Sequence, residues 1–120
     1  MDELVGRIAA NVGVDRSVAE KAVGIILDFL SREGPPGTVR ELLDRLPGAD
    51  AAIEAARAEG GMLGGIGGIM GVGTRLMGAG LSMPQIQGVT GEVIAYAREQ
   101  AGDEAINRFV EAIPALRQFI

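Results

Sequence analysis

The sequence predicts an all-α fold, a compact bundle of six or seven short helices. Three observations lead there. Apolar residues recur three and four positions apart in every periodic segment, and no segment alternates with the period of a strand. Ser, Asp, Pro and Gly also stand where helices of that length would start and stop.

The first helix covers Asp2–Asn11, with Leu4, Val5, Ile8, Ala9 and Val12 on one side, and Gly13 ends it. Asp15 is placed to cap the second helix, after Val14 as an apolar staple. That helix puts Val18, Ala22, Ile25, Ile26, Phe29 and Leu30 on one face, and Gly34-Pro35-Pro36-Gly37 breaks it. Thr38-Val39-Arg40-Glu41 reads as a capping box opening a third helix with Leu42, Leu43 and Leu46. Asp50 then caps an alanine-rich fourth helix reaching Glu59. Beyond the glycine-rich middle, Ser82-Met83-Pro84-Gln85 is a second capping box. It opens a helix carrying Ile86, Val89, Val93, Ile94 and Ala97, closed by Gly102. Asp103 caps a helix with Ile106, Phe109, Val110 and Ile113, and Pro114 resets the chain into a final turn.

One domain of residues 1–120 accommodates these elements, and a shift of 67 positions superposes many of the landmarks. Gly13 falls on Gly80, Asp15 on Ser82, Gly24 on Gly91 and Pro47 on Pro114. Identities are few, so two readings stay open: chance agreement between amphipathic helices, or a duplicated three-helix unit. The duplication expects repeats 1–53 and 68–120 about a pseudo-two-fold, with 48–67 as connector.

Gly60–Gly80 holds 10 of the 19 glycines. Gly68–Arg75 has the glycine spacing of a phosphate loop but lacks its lysine, and no strand precedes it. A flexible linker would not carry Met62, Leu63, Ile66, Ile69, Met70 and Val72. As a helix over Met62–Ala79, the segment aligns Gly61, Gly64, Gly65, Gly68 and Gly71 into a smooth stripe that admits close approach of another backbone. Each glycine costs about 1 kcal/mol relative to Ala, so such a helix requires tight packing. An ordered apolar loop is the alternative.

Composition narrows the chemistry. With neither His nor Cys, the chain has no thiolate nucleophile, disulfide or imidazole base. A net charge of −5 argues against nucleic acid, whose binding depends on neutralising phosphates. Asp28 and Glu33, and Glu92, Glu99 and Asp103, are the carboxylates that could pair. No calcium-loop spacing or carboxylate–histidine pair accompanies them, and solvated helix faces explain them. Asp28 with Arg32 is a favourable i,i+4 pair, and Glu99 with Asp103 a repulsive one. Tyr96 and Phe29 read as core or boundary residues. Ten of the 11 basic residues are Arg, which reads as codon bias and not as a binding patch. No catalytic residue, metal site or cofactor is expected.

Two resemblances extend this reading. Glu3–Asn11 followed by Asp15 and Ala19–Phe29 resembles the helical hairpin that opens histone-like HU proteins, without the basic β-arms that hold DNA in that family. Leu46–Asp50, Gly60–Gly68, Gly80–Met83, Val93–Glu99 and Ala112–Leu116, in that order, resemble the VcgC/VcgE-like bacterial proteins, short helical chains with a glycine- and leucine-rich middle. That resemblance implies fold and bacterial origin, and carries no activity or site residues with it.

The expectation is a non-enzymatic interaction or structural protein. Mean hydropathy of +0.26 is high for so small a chain and favours homo-oligomerisation. The alternative is an apolar-ligand or membrane-surface binder acting through Gly60–Met83. Met1-Asp2-Glu3-Leu4 lacks signal-peptide features. The uncharged runs Gly60–Thr74 and Leu76–Gly91 are short of a membrane span, so a cytoplasmic location is expected.

Overall fold

The structure, a computed structural model, describes residues 2–59 and 68–119. Seven α-helices and a terminal 3-10 turn account for nearly all of them, with no strand among the described residues: α1 Asp2–Val12, α2 Arg16–Glu33, α3 Pro36–Asp44, α4 Ala49–Glu59, α5 Gly68–Gly78, α6 Met83–Ala101, α7 Asp103–Ala112 and the turn Pro114–Phe119.

The stop and start signals act locally. Gly13 takes φ +82° at the end of α1, a left-handed conformation that L side chains avoid, and its N–H donates to the Ala9 carbonyl at 3.2 Å. Gly80 does the same service after α5 with φ +104°. At the start of α6 the Gln85 Oε1 accepts from the Ser82 N–H at 2.9 Å, half of the expected capping box.

Three expected starts are displaced. α3 opens at Pro36, before Thr38, because proline fits the first helical position, where its missing N–H is not needed; Thr38 is instead buried within the helix. α4 begins at Ala49, so Asp50 stands in its first turn and not at the cap. Gly102 occupies the cap position of α7 and Asp103 is its first residue. Glu99 and Asp103 therefore belong to different helices, and their expected repulsion gives way to separate ion pairs with Arg7 and Arg98. Of the expected glycine helix Met62–Ala79, the described part is α5; residues 62–67, with Gly61, Gly64 and Gly65, lie outside the described residues.

Packing centres on α2. Every residue from Ala22 to Leu30 is buried, so this helix is covered all round and not on one face alone. α4 lies along one side of it, α5 along another, and α1 and α6 complete the surround. The closest approach is at Gly24: a Cβ built there would sit 2.5 Å from the Ala52 carbonyl oxygen and 3.2 Å from the Ala56 methyl on α4. α3, α7 and the terminal turn close the end of the bundle with Leu42, Leu46, Ile106, Phe109 and Leu116.

The two halves of the chain are interleaved. α1 packs on α6 of the second half, and α5 packs on α2 of the first. Helix starts also recur at constant spacing: Arg16 and Met83 open α2 and α6, Pro36 and Asp103 open α3 and α7, and each pair is 67 positions apart.

Candidate functional site

A carboxylate placed in the apolar stretch Val23–Leu30 must be paired, because an isolated buried charge is very unfavourable. Asp28 is that residue, with only 1 % of its surface exposed, and among the described residues no other charged side chain is so deeply buried. Three guanidinium groups reach it from three directions. Arg32, one turn along α2, donates from Nε to Oδ1 at 3.1 Å. Arg57 on α4 donates from Nε to the same oxygen at 2.7 Å. Arg75 on α5 donates from Nη1 to Oδ2 at 3.1 Å and is itself 10 % exposed.

Further hydrogen bonds fix the arginines. Arg75 Nη2 donates to the Ala56 carbonyl at 2.7 Å, tying α5 directly to α4. Arg57 Nη2 reaches Ser31 Oγ at 3.4 Å, and Ser31 Oγ in turn donates to the Asp28 carbonyl at 2.7 Å. Burial alone pushes the Asp28 carboxyl up; the hydrogen bonds from Arg57 and Arg75 and the charge of Arg32 outweigh it and leave the group below its usual range. An aspartate so held stays ionised, and both its oxygens are occupied by donors. It cannot serve as a proton acceptor for a substrate, but it can hold three helices together.

A second polar cluster joins α1 to α6. Arg7 Nη1 donates to Glu99 Oε2 at 2.9 Å, and its Nε lies 3.6 Å from Glu92 Oε2. Asn11 Nδ2 donates to Glu92 Oε1 at 3.3 Å, while Glu92 Oε2 is buried without a hydrogen bond of its own. The guanidinium of Arg7 also stands over the Tyr96 ring, 5.7 Å from its centroid. The hydrogen bond to Glu99, above all, raises the Arg7 pKa. Burial raises that of the Tyr96 hydroxyl, with the charge of Glu3 adding to it.

A groove of about 390 Å³ opens between α1, α2 and α4. Val5, Val23, Ala52 and Ala56 line its floor side, and Glu20 and Lys21 stand among its polar residues. Met77 and Met83, at the corner between α5 and α6, are the large hydrophobic side chains left exposed among the described residues.

No protein-family model, curated protein or solved structure matches the chain. The two resemblances noted in the sequence therefore assign no family, and function has to be argued from the residues themselves.

The structure treats the sequence-derived candidates unequally. Gly68 and Gly71 lie on α5, where Gly71 is buried; Gly61, Gly64 and Gly65 are outside the described residues. Asp28 is not on a solvated face, contrary to expectation, because α4 and α5 cover the side of α2 that carries it. The gathering of Arg32, Arg57 and Arg75 around it was not visible as a patch in the sequence. Glu33 and Asp28 do not converge with other acids, and among the described residues no group of three or more acidic side chains could hold a metal ion. No described helix is long and apolar enough to cross a membrane.

Proposed function

We propose that the protein is a non-enzymatic interaction protein that self-associates, with the glycine-rich helix α5 as a contact element. The observation that carries this reading is the use made of the buried charge. Asp28, with its three arginines, joins α2, α4 and α5 and has no oxygen left for chemistry. α5 is held by packing of Val72 and Leu76 into the core, yet it also presents exposed Met77, and a Cβ at Gly73 or Gly78 would meet open space. A helix with apolar or small residues on both sides suits a packing role. Light scattering over a dilution series tests the reading. A mass above the 12.4 kDa of one chain, falling on dilution, is the expected result, and a strict monomer at every concentration removes it.

A second reading rests on the groove between α1, α2 and α4, whose alanine and valine lining suits a small apolar ligand. Its described lining includes nothing from Gly60–Met83, the segment from which ligand or membrane binding was expected. An environment-sensitive naphthalene dye should brighten on binding there, and unchanged emission at high protein concentration excludes it.

A further inference from the structure

The two halves, residues 2–59 and 68–119, do not close on themselves. The opening helix of each lies against the long helix of the other, α1 on α6 and α5 on α2, and α2 also touches α6. The polar ties run across the same boundary: Arg7 to Glu99 at 2.9 Å, Arg75 to Asp28 at 3.1 Å, Arg75 to the Ala56 carbonyl at 2.7 Å, and Arg108 to Glu41 at 3.9 Å. The covalent link between the halves is the connection from Glu59 to Gly68. Nine peptide steps span about 30 Å when extended, close to the 32 Å longest dimension of the molecule.

From this we infer that the chain self-associates by exchanging halves: residues 2–59 of one copy pair with residues 68–119 of a second, and the reverse. The inference rests on the self-association reading above and specifies its partner and surface. The partner is a second copy of this chain. The surface is the interface between halves, so every contact of the monomer is remade between chains and no new patch is needed. In such a dimer the glycine-rich α5 of one copy packs on α2 of the other, with Arg75 reaching the partner's copy of the buried aspartate. The recurrence of helix starts at 67 positions fits this arrangement, since two duplicated units would meet as two chains once did.

The absence of cysteine provides a clean test. A Cβ at Gly88 on α6 would lie 3.9 Å from the Val12 Cβ on α1, matching the separation of about 3.8 Å in disulfides. The full chain carrying Val12→Cys and Gly88→Cys is refolded at high concentration, oxidised, and examined by light scattering and by non-reducing gel. Exchange predicts a dimer in solution and a covalent band at twice 12.4 kDa that reducing agent returns to one chain. A dimer whose disulfides are all within one chain overturns exchange and leaves self-association standing, through a face such as Met77 and Met83. A monomer in both measurements overturns both readings. The unsubstituted chain gives an independent check: in a mixture of isotope-labelled and unlabelled copies, contacts between Val12 and Gly88 of different chains are expected, and their absence from the dimer sinks the inference.

Discussion

Asp28 and Arg75 meet at 3.1 Å although 47 positions separate them, and this pair fastens the glycine-rich helix to the centre of the bundle. Arg75 is the one charged residue between Glu59 and Glu92, and Asp28 interrupts the apolar run from Val23 to Leu30. Each is out of place by itself, and they make sense together.

Removing Asp28 should be the most damaging single change in this cluster. In Asp28→Ala the buried end of Arg75 loses its counter-charge, and truncating one member of a buried pair costs about 3–5 kcal/mol. Arg57 is half exposed, so water can replace its partner, and Arg57→Ala should cost about 1 kcal/mol or less. Urea denaturation of both variants measures the difference. An Asp28→Ala loss no larger than that of Arg57→Ala would show that the cluster is not a tie.

How much of this was legible beforehand varies by kind of feature. Helix existence was readable because Leu4, Val5 and Ile8, or Val89, Val93 and Ile94, repeat at the helical period, and because Gly13, Gly80 and Gly102 stop the elements. The surroundings of α2 were not readable. One helix's pattern shows an apolar face, but it cannot show that α4 and α5 cover the opposite side, and so Asp28 read as solvated. The signal that could have found the cluster was the pairing of two isolated charges, Asp28 in its apolar run and Arg75 in its uncharged one. Close small-residue packing was expected in the stripe from Gly61 to Gly71, yet the tightest approach measured is Gly24 against Ala52 and Ala56. Glycine in α2 and alanines in α4 are individually ordinary, and only their tertiary juxtaposition makes them a contact.

Gly24 and Gly73 should respond oppositely to the same substitution. Gly24→Ala drives a methyl into the Ala52 carbonyl, so α4 must move, and overpacking of this kind costs about 1–3 kcal/mol. At Gly73, also within a helix, a Cβ meets nothing within 4 Å, and Gly73→Ala should stabilise by up to about 1 kcal/mol through helix propensity. Thermal melts that shift down for the first and up or not at all for the second are expected. A Gly24→Ala melt at or above that of the parent would contradict the close contact.

Acid should loosen the bundle through Asp28. Its carboxyl titrates below 3.8 in the folded chain, whereas the unfolded chain binds the proton near its ordinary value of about 3.9. The unfolded state therefore takes up protons first as the pH falls. The stabilisation is complete above that value and is lost as the pH drops through the lower, folded one. Stability measured between neutrality and strong acid should fall more steeply in the parent than in Asp28→Asn, which starts lower and has no proton to gain there. Parallel curves would place the acid sensitivity elsewhere.

Alkali should act through Tyr96. Burial, followed by the charge of Glu3, raises its hydroxyl pKa above 10 in the folded chain, and the neighbouring Arg7 only partly opposes this. In the unfolded chain the phenol ionises near its ordinary value of about 10. The unfolded state then holds fewer protons than the folded one, so stability declines as the pH rises from that value toward the folded pKa. Tyr96→Phe removes the titrating group while keeping the ring that packs beneath Arg7. Its stability should be nearly flat over the interval in which the parent's declines. Because Tyr96 is the chain's sole tyrosine, phenolate absorbance near 295 nm reports its ionisation directly, and a midpoint at or below the ordinary value would show that the ring is not buried against α1.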